Sequence, residues 1–173
     1  MMIKLVQPDL CLEEKFIEML NDYNDKGDDR ISSRYSRANY EFQSYIDYLK
    51  KREKGINLEA EDVASSEWWL LNENKDILGT VRLRYELNET NYDEGGNIGY
   101  DISPRHRRKG YGKLILKLIL EKAKDLGFKR VLITCDFDNL ASKNIIEHNG
   151  GKLENTIISK ESGKEVLRYW IEI

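Results

Sequence analysis

A run of ten residues, Pro104 to Lys113, holds Arg105, Arg107, Arg108, Lys109 and Lys113 and no acid, and it carries glycines at 110 and 112. It lies between two strongly patterned segments. Before it, Asn97 to Ser103 alternates, with Ile98, Tyr100 and Ile102 on one side and Asn97, Gly99, Asp101 and Ser103 on the other, which is the period of a strand. After it, Leu114, Ile115, Leu118, Ile119 and Leu126 predict the buried face of a helix, with Lys113, Lys117, Glu121 and Lys124 on the polar stripe and Gly127 as C-cap. A bare basic run reads as a solvated loop, but a basic, glycine-bearing turn leading from a strand into a helix reads as an anion cradle. The first N–H groups of the helix have no intrahelical partner, the helix dipole adds about half a positive charge there, and glycines let a bulky anion approach the backbone. Two common phosphate loops are excluded. Lys113 is followed by Leu114 where a nucleotide P-loop needs Ser or Thr, and Ile115 stands where the dinucleotide fingerprint needs its third glycine.

The remaining elements follow from their periods. Residues 3–7 predict a strand closed by Pro8 and Asp9, and Asp9 caps a helix to about Tyr23 with Leu12, Phe16, Met19, Leu20 and Tyr23 inside. A polar loop, Asn24 to Arg30, precedes a second helix from about Ala38 to Arg52, with Phe42, Tyr45, Ile46 and Leu49 inside and Gly55 ending it. Trp68 to Leu71, Ile77 to Leu87 and Asn97 to Ser103 then predict an antiparallel meander, joined by polar turns at Asn72 to Asp76 and Asn88 to Gly96. Val131 to Cys135 reads as a strand covered on both faces. Asp138 and Asn139 cap a short helix to about His148, and strands from about Lys152 to Ser159 and Glu165 to Ile173 complete the chain. The order β-α-α-β-β-β-α-β-α-β-β predicts an α/β (α+β) fold.

The 173 residues, 40% hydrophobic and 34% charged, suit one domain with one core, residues 1–173. No apolar run nears the ~18 residues needed to span a bilayer, and Met1 to Pro8 shows no secretory apolar region, so no membrane association is expected. Cys11 and Cys135 read as small apolar core residues outside any metal-ligand spacing. With His106 and His148 as the two histidines, no metal is expected. Together these features predict a reduced, cytoplasmic protein. From Asp9 to Asp62 there are 14 acids against 9 bases, and the whole chain is at −3, so nucleic acid is not an expected partner.

At this point the sequence resembles a known family. Arg107-x-x-Gly110-x-Gly112 is similar to the Arg/Gln-x-x-Gly-x-Gly/Ala motif of the GNAT superfamily of N-acyltransferases. Ile98 to Pro104 resembles the strand and proline before that motif, and Asn139-x-x-Ser142 with Glu147 and Gly150 resembles its second motif. The closest branch is the one containing ribosomal-protein N-terminal acetyltransferases. The resemblance implies a mixed, mostly antiparallel sheet of about seven strands with helices on both faces. Residues 63–173 would form the acetyl-CoA-binding core, and 10–62 would supply helices and loop on the acceptor side. It implies transfer of an acetyl group from acetyl-CoA to an amine by direct attack on the thioester. Backbone groups at Tyr100 and Ile102 would pair with the pantetheine arm. The amides of Arg107, Arg108, Lys109, Gly110, Tyr111 and Gly112 would hold the pyrophosphate, and Asn139 and Ser142 would meet the arm from the other side. A homodimer is compatible with this reading.

The sequence also departs from the family pattern. Related enzymes often carry a Glu near the start of the fourth strand as base, where this chain reads Gly95-Gly96-Asn97-Ile98, and a Tyr as acid where this chain has Ile146. The substitutes are Asn97, which can position a water, and Asp101 on the same face, which reads either as proton acceptor or as surface carboxylate. Arg84 and Glu86 share one face of their strand, as acceptor contacts or as an ion pair. Tyr169 reads as an acid or as core packing. Two competing expectations follow, a CoA-binding regulator without catalysis and a nucleic-acid module built on Arg105 to Lys109.

Overall fold

The computed structural model describes residues 3–28, 35, 41–60 and 62–173. Seven strands are present among them: β1 (Lys4–Val6), β2 (Ser65–Leu71), β3 (Ile77–Arg84), β4 (Ile98–Ile102), β5 (Arg130–Asp136), β6 (Lys152–Ile158) and β7 (Glu165–Glu172). The longer helices are α1 (Glu13–Asp25), α2 (Phe42–Glu53), α3 (Tyr111–Asp125) and α4 (Leu140–His148). The order and the α/β class agree with the sequence reading. The expected start of the second helix at Ala38 lies outside the described residues.

The strands form two antiparallel sheets, β1-β2-β3-β4 and β5-β7-β6. All seven residues of β2 are buried because helices cover both of its faces. Trp68 and Leu70 point into the core beneath α3, whereas Trp69 and Leu71 point into an aromatic core beneath α1 and α2. In that second core Phe16 stacks on Trp69 at 4.7 Å and meets Tyr35 edge-on at 5.4 Å.

Four sequence expectations shift. Asp9 caps a short 3-10 turn, Leu10–Leu12, accepting from the Cys11 N–H at 2.8 Å, and α1 starts only at Glu13. Cys11 is therefore exposed on that turn rather than in the core, while Cys135 is buried. The buried face of α3 is Ile115, Leu116, Ile119, Leu120 and Ala123, because the helix is wedged between a sheet and α4; Leu126, on the cap residue, is 54% exposed. Finally, β3 ends at Arg84, and the connection to β4 contains a π turn, Asn91–Gly95, closed by Gly96 N–H to Asn91 O at 2.6 Å.

Candidate active site

The two sheets meet where β4 begins. The Asn97 N–H donates to Leu132 O at 2.7 Å, the Leu132 N–H donates to Asn97 Oδ1 at 2.8 Å, and Asn97 Nδ2 reaches Arg84 O at 3.3 Å. Gly96 sits at φ 63°, and a Cβ there would lie 2.6 Å from Leu132 O, so the junction closes only on glycine. Beyond this junction β4 and β5 part around a cavity of about 240 Å³. Gly99 and Tyr100 line it from β4, Ile133 to Asp136 from β5, Asn139 and Ser142 from α4, and Glu94 and Gly95 from the π turn.

Hydroxyls gather on the α4 side of this cleft. Tyr100 Oη and Ser142 Oγ are 2.9 Å apart, and Asn139 Oδ1 accepts from the Ser142 N–H at 3.0 Å, which caps α4. Burial pushes the Tyr100 phenol above its ordinary range, so it stays protonated at neutral pH. Burial also pushes the Cys135 thiol up to about 11, which makes it a poor nucleophile.

The cradle lies at the start of α3. Arg108 at φ 60° and Gly110 at φ 85° turn the chain left-handed twice, and no side chain caps the helix. Such a turn aims successive N–H groups at a common point. Gly110 faces open space. Gly112 instead is buried against α4, where a Cβ would come 2.4 Å from Ile145 Cδ1, so its bareness serves helix packing. Two of the five cations are turned away from the cradle. Arg105 is paired with the buried Asp22, which also accepts from Ser103 Oγ at 2.5 Å. Arg107 donates from Nε to Ile102 O at 2.9 Å and pairs with Asp28 at 3.2 Å and Asp101 at 3.6 Å. Arg108, Lys109 and Lys113 remain exposed, with no ion pair to a described residue. A diphosphate fits this arrangement: bare N–H groups, a helix N-terminus and three uncommitted cations.

The acetyltransferase (GNAT) domain family matches residues 17–152. The chain belongs to this family. No curated protein sequence matches it. Solved structures of similar fold include the ribosomal L7/L12 alpha-N-protein acetyltransferase RimL in complex with coenzyme A. It has TM-score 0.72 and 16% identity over 99% of this chain and 94% of that one. The microcin C7 self-immunity acetyltransferase MccE, solved with acetyl-CoA and AMP, gives 0.67 and 17% over 99% and 92%. The spermidine/spermine N-acetyltransferase SpeG from Vibrio cholerae gives 0.59 and 16% over 99% and 95%.

Acetyl-CoA is thus the co-substrate of this GNAT acetyltransferase. Its structure brings together Tyr100, Asn139 and Ser142 at the cleft and Arg108 to Gly112 at the cradle. It does not bring Asn97, Asp101, Arg84 and Glu86 into one constellation. Asn97 is 6% exposed, with its amide engaged on both sides by backbone. Asp101 accepts from the Ile102 N–H at 2.7 Å and anchors Arg107. Arg84 donates to the Gly95 and Gly96 carbonyls at 3.2 and 3.0 Å, and Glu86 lies exposed beyond the end of β3. Tyr169 is core: it is 1% exposed, its phenol is pushed up to about 12 by burial, and it donates to Glu147 at 3.2 Å. His106 is half-buried beside Tyr111, and His148 is exposed.

The sequence reading missed Glu94 and Asp136, the two carboxylates lining the cleft. Glu94 gives no periodic signal because a π turn presents it. Asp136 had one, as a carboxylate three residues before the Asn139 cap and at the end of a core strand. No helix among the described residues is long and apolar enough to cross a membrane.

Proposed function

We propose that the protein moves the acetyl group of acetyl-CoA onto a cationic primary amine by direct attack. The observation that carries this reading is the cleft between β4 and β5, lined by the Tyr100–Ser142 hydroxyl pair and by the carboxylates Glu94 and Asp136. Bound acetyl-CoA supplies the activated thioester. The bare N–H groups of Lys109 to Gly112 would hold its diphosphate, with Arg108, Lys109 and Lys113 adding charge. Asn139 and backbone groups at Tyr100 would orient the arm, and a β4 N–H would stabilise the developing oxyanion. The Tyr100–Ser142 hydroxyl pair would return a proton to the departing sulfur. Cys135 stays a thiol, which favours direct attack over an acyl-enzyme. The acids of residues 9–62 and the cleft carboxylates favour a cationic acceptor. Relatives named for a ribosomal protein's α-amine and for spermidine/spermine act on groups of that chemistry.

The test is a thermal melt with acetyl-CoA, followed by thiol release on adding spermidine or a peptide with a free N-terminal serine. At about 100 Kd the ligand should stabilise the fold by ~2.7 kcal/mol. Gly110→Glu, where a side chain meets open space but φ 85° strains any residue other than glycine, should melt several degrees below wild type, still fold, and lose the shift. A shift without thiol release on either amine would favour the CoA-binding regulator, and no shift would sink the reading.

A further inference from the structure

The mechanism needs a group that takes a proton from the ammonium, and the positions where sequence places one are engaged elsewhere. Asn97 joins the sheets, and Asp101 holds Arg107 and the Ile102 N–H. Two carboxylates remain in the cleft. Glu94 is fixed by both oxygens, accepting from Ser159 Oγ at 2.6 Å and from the Lys160 N–H at 2.8 Å, while Thr134 Oγ1 donates to its carbonyl at 2.5 Å. Asp136 is different. On β5 the side chains of Ile133 and Cys135 enter the core beneath α3 and α4, so Thr134 and Asp136 point to the opposite, acceptor-side face. Asp136 pairs in register with Val166, also on the cleft wall, and its carbonyl accepts from the Asn139 N–H at 3.0 Å. No hydrogen bond or ion pair from a described residue reaches its carboxylate, which is half-buried.

We infer that Asp136 is the proton acceptor for the attacking amine, with Glu94 as a second, fixed carboxylate of the same cleft. This rests on the acetyl-transfer reading above. One N–H proton of the ammonium passes to the Asp136 carboxylate and on to water. The freed nitrogen lone pair forms the C–N bond, and the C–S bond breaks with its electron pair on sulfur. The second N–H proton goes to the departing sulfur, giving amide, CoA thiol and one proton in solution. The ionisable groups lining the cleft with Asp136 are Glu94, Tyr100 and Cys135, and Lys143 and Glu147 of α4 lie within electrostatic reach of Cys135.

The experiment compares wild type, Asp136→Asn, Asp136→Glu and Glu94→Gln with spermidine and with the seryl peptide. Failure of wild type to release thiol with either amine, despite a melting shift, would overturn the assignment together with the transfer reading. Asp136→Asn should lower the rate ~10²-fold near neutral pH, with the acetyl-CoA melting shift unchanged. Its residual rate should then climb about tenfold per pH unit as the amine deprotonates on its own, toward a pKa of about 8 for an α-amine or about 10 for an alkyl amine. Asp136→Glu should recover part of the activity. The assignment falls if Asp136→Asn keeps its rate within about threefold, or loses it by the same factor at every pH. It also falls if Glu94→Gln alone shows the pH-dependent loss. Absence of any melting shift in wild type would instead overturn the acetyl-transfer reading itself.

Discussion

Asn97 shows how a residue placed by its motif position for chemistry can be taken by architecture. Its backbone and both ends of its amide bind Leu132 and Arg84, the residues that fix where the sheets touch. Replacing it with alanine orphans the Leu132 N–H, at a cost of about 1–3 kcal/mol. Asn97→Ala should therefore melt several degrees lower than wild type, with any loss of turnover tracking loss of folded protein. A loss of kcat at unchanged Tm would return Asn97 to the catalytic machinery. Sequence could name this residue, because it stands at the start of the fourth strand and alternation put it on the same face as Asp101. It could not reveal the partner, since Leu132 lies 35 residues away and the bond exists only once α3 has carried the chain back. Arg107 belongs to the same class. Its motif position was legible, yet its guanidinium points to Asp28, Asp101 and Ile102 O rather than to the cradle.

At the scale of elements, the cradle is held from outside by α1. Asp22 of that helix accepts from Ser103 and pairs with Arg105, fixing the entry to the turn whose Gly110 opens α3. His106 sits in this turn, half-buried, and burial together with Lys109 holds its pKa below the ordinary histidine value. The folded state thus binds a proton on His106 less readily than the unfolded chain does. Stability from this group is complete above about pH 6.5 and falls as pH drops toward the folded pKa. His106→Gln should melt with a shallower decline than wild type between about pH 7 and 5.5, and a parallel decline would show that His106 carries no linkage. The strand–turn–helix order here was readable from period and glycine placement. The π turn of residues 91–95 was not, because it has no apolar period, and it is the element that carries Glu94 to the cleft wall.

Over the whole molecule, the cleft is a seam between two sheets that share little backbone bonding and are bridged by the core beneath α3. A ligand seated between β4 and β5 should tie them together. On addition of acetyl-CoA, amide exchange should slow in β4, in β5 and at the start of α3, while the edge strands β1 and β6 change little. Equal slowing at β6 would mean a general stabilisation rather than binding at the seam. By itself the sequence determined what depends on neighbours along the chain: the periods of strands and helices, the bare start of α3, the Asn139 cap, and with them the family. Tertiary structure decided what depends on residues distant in sequence. It paired Arg105 and Arg107 with acids on other segments, engaged Asn97 and Asp101, buried Gly112 against Ile145, exposed Cys11, and left Asp136 facing the cleft. A hydrogen bond or ion pair is set by distance in space, and local pattern carries no record of which distant group will arrive there first.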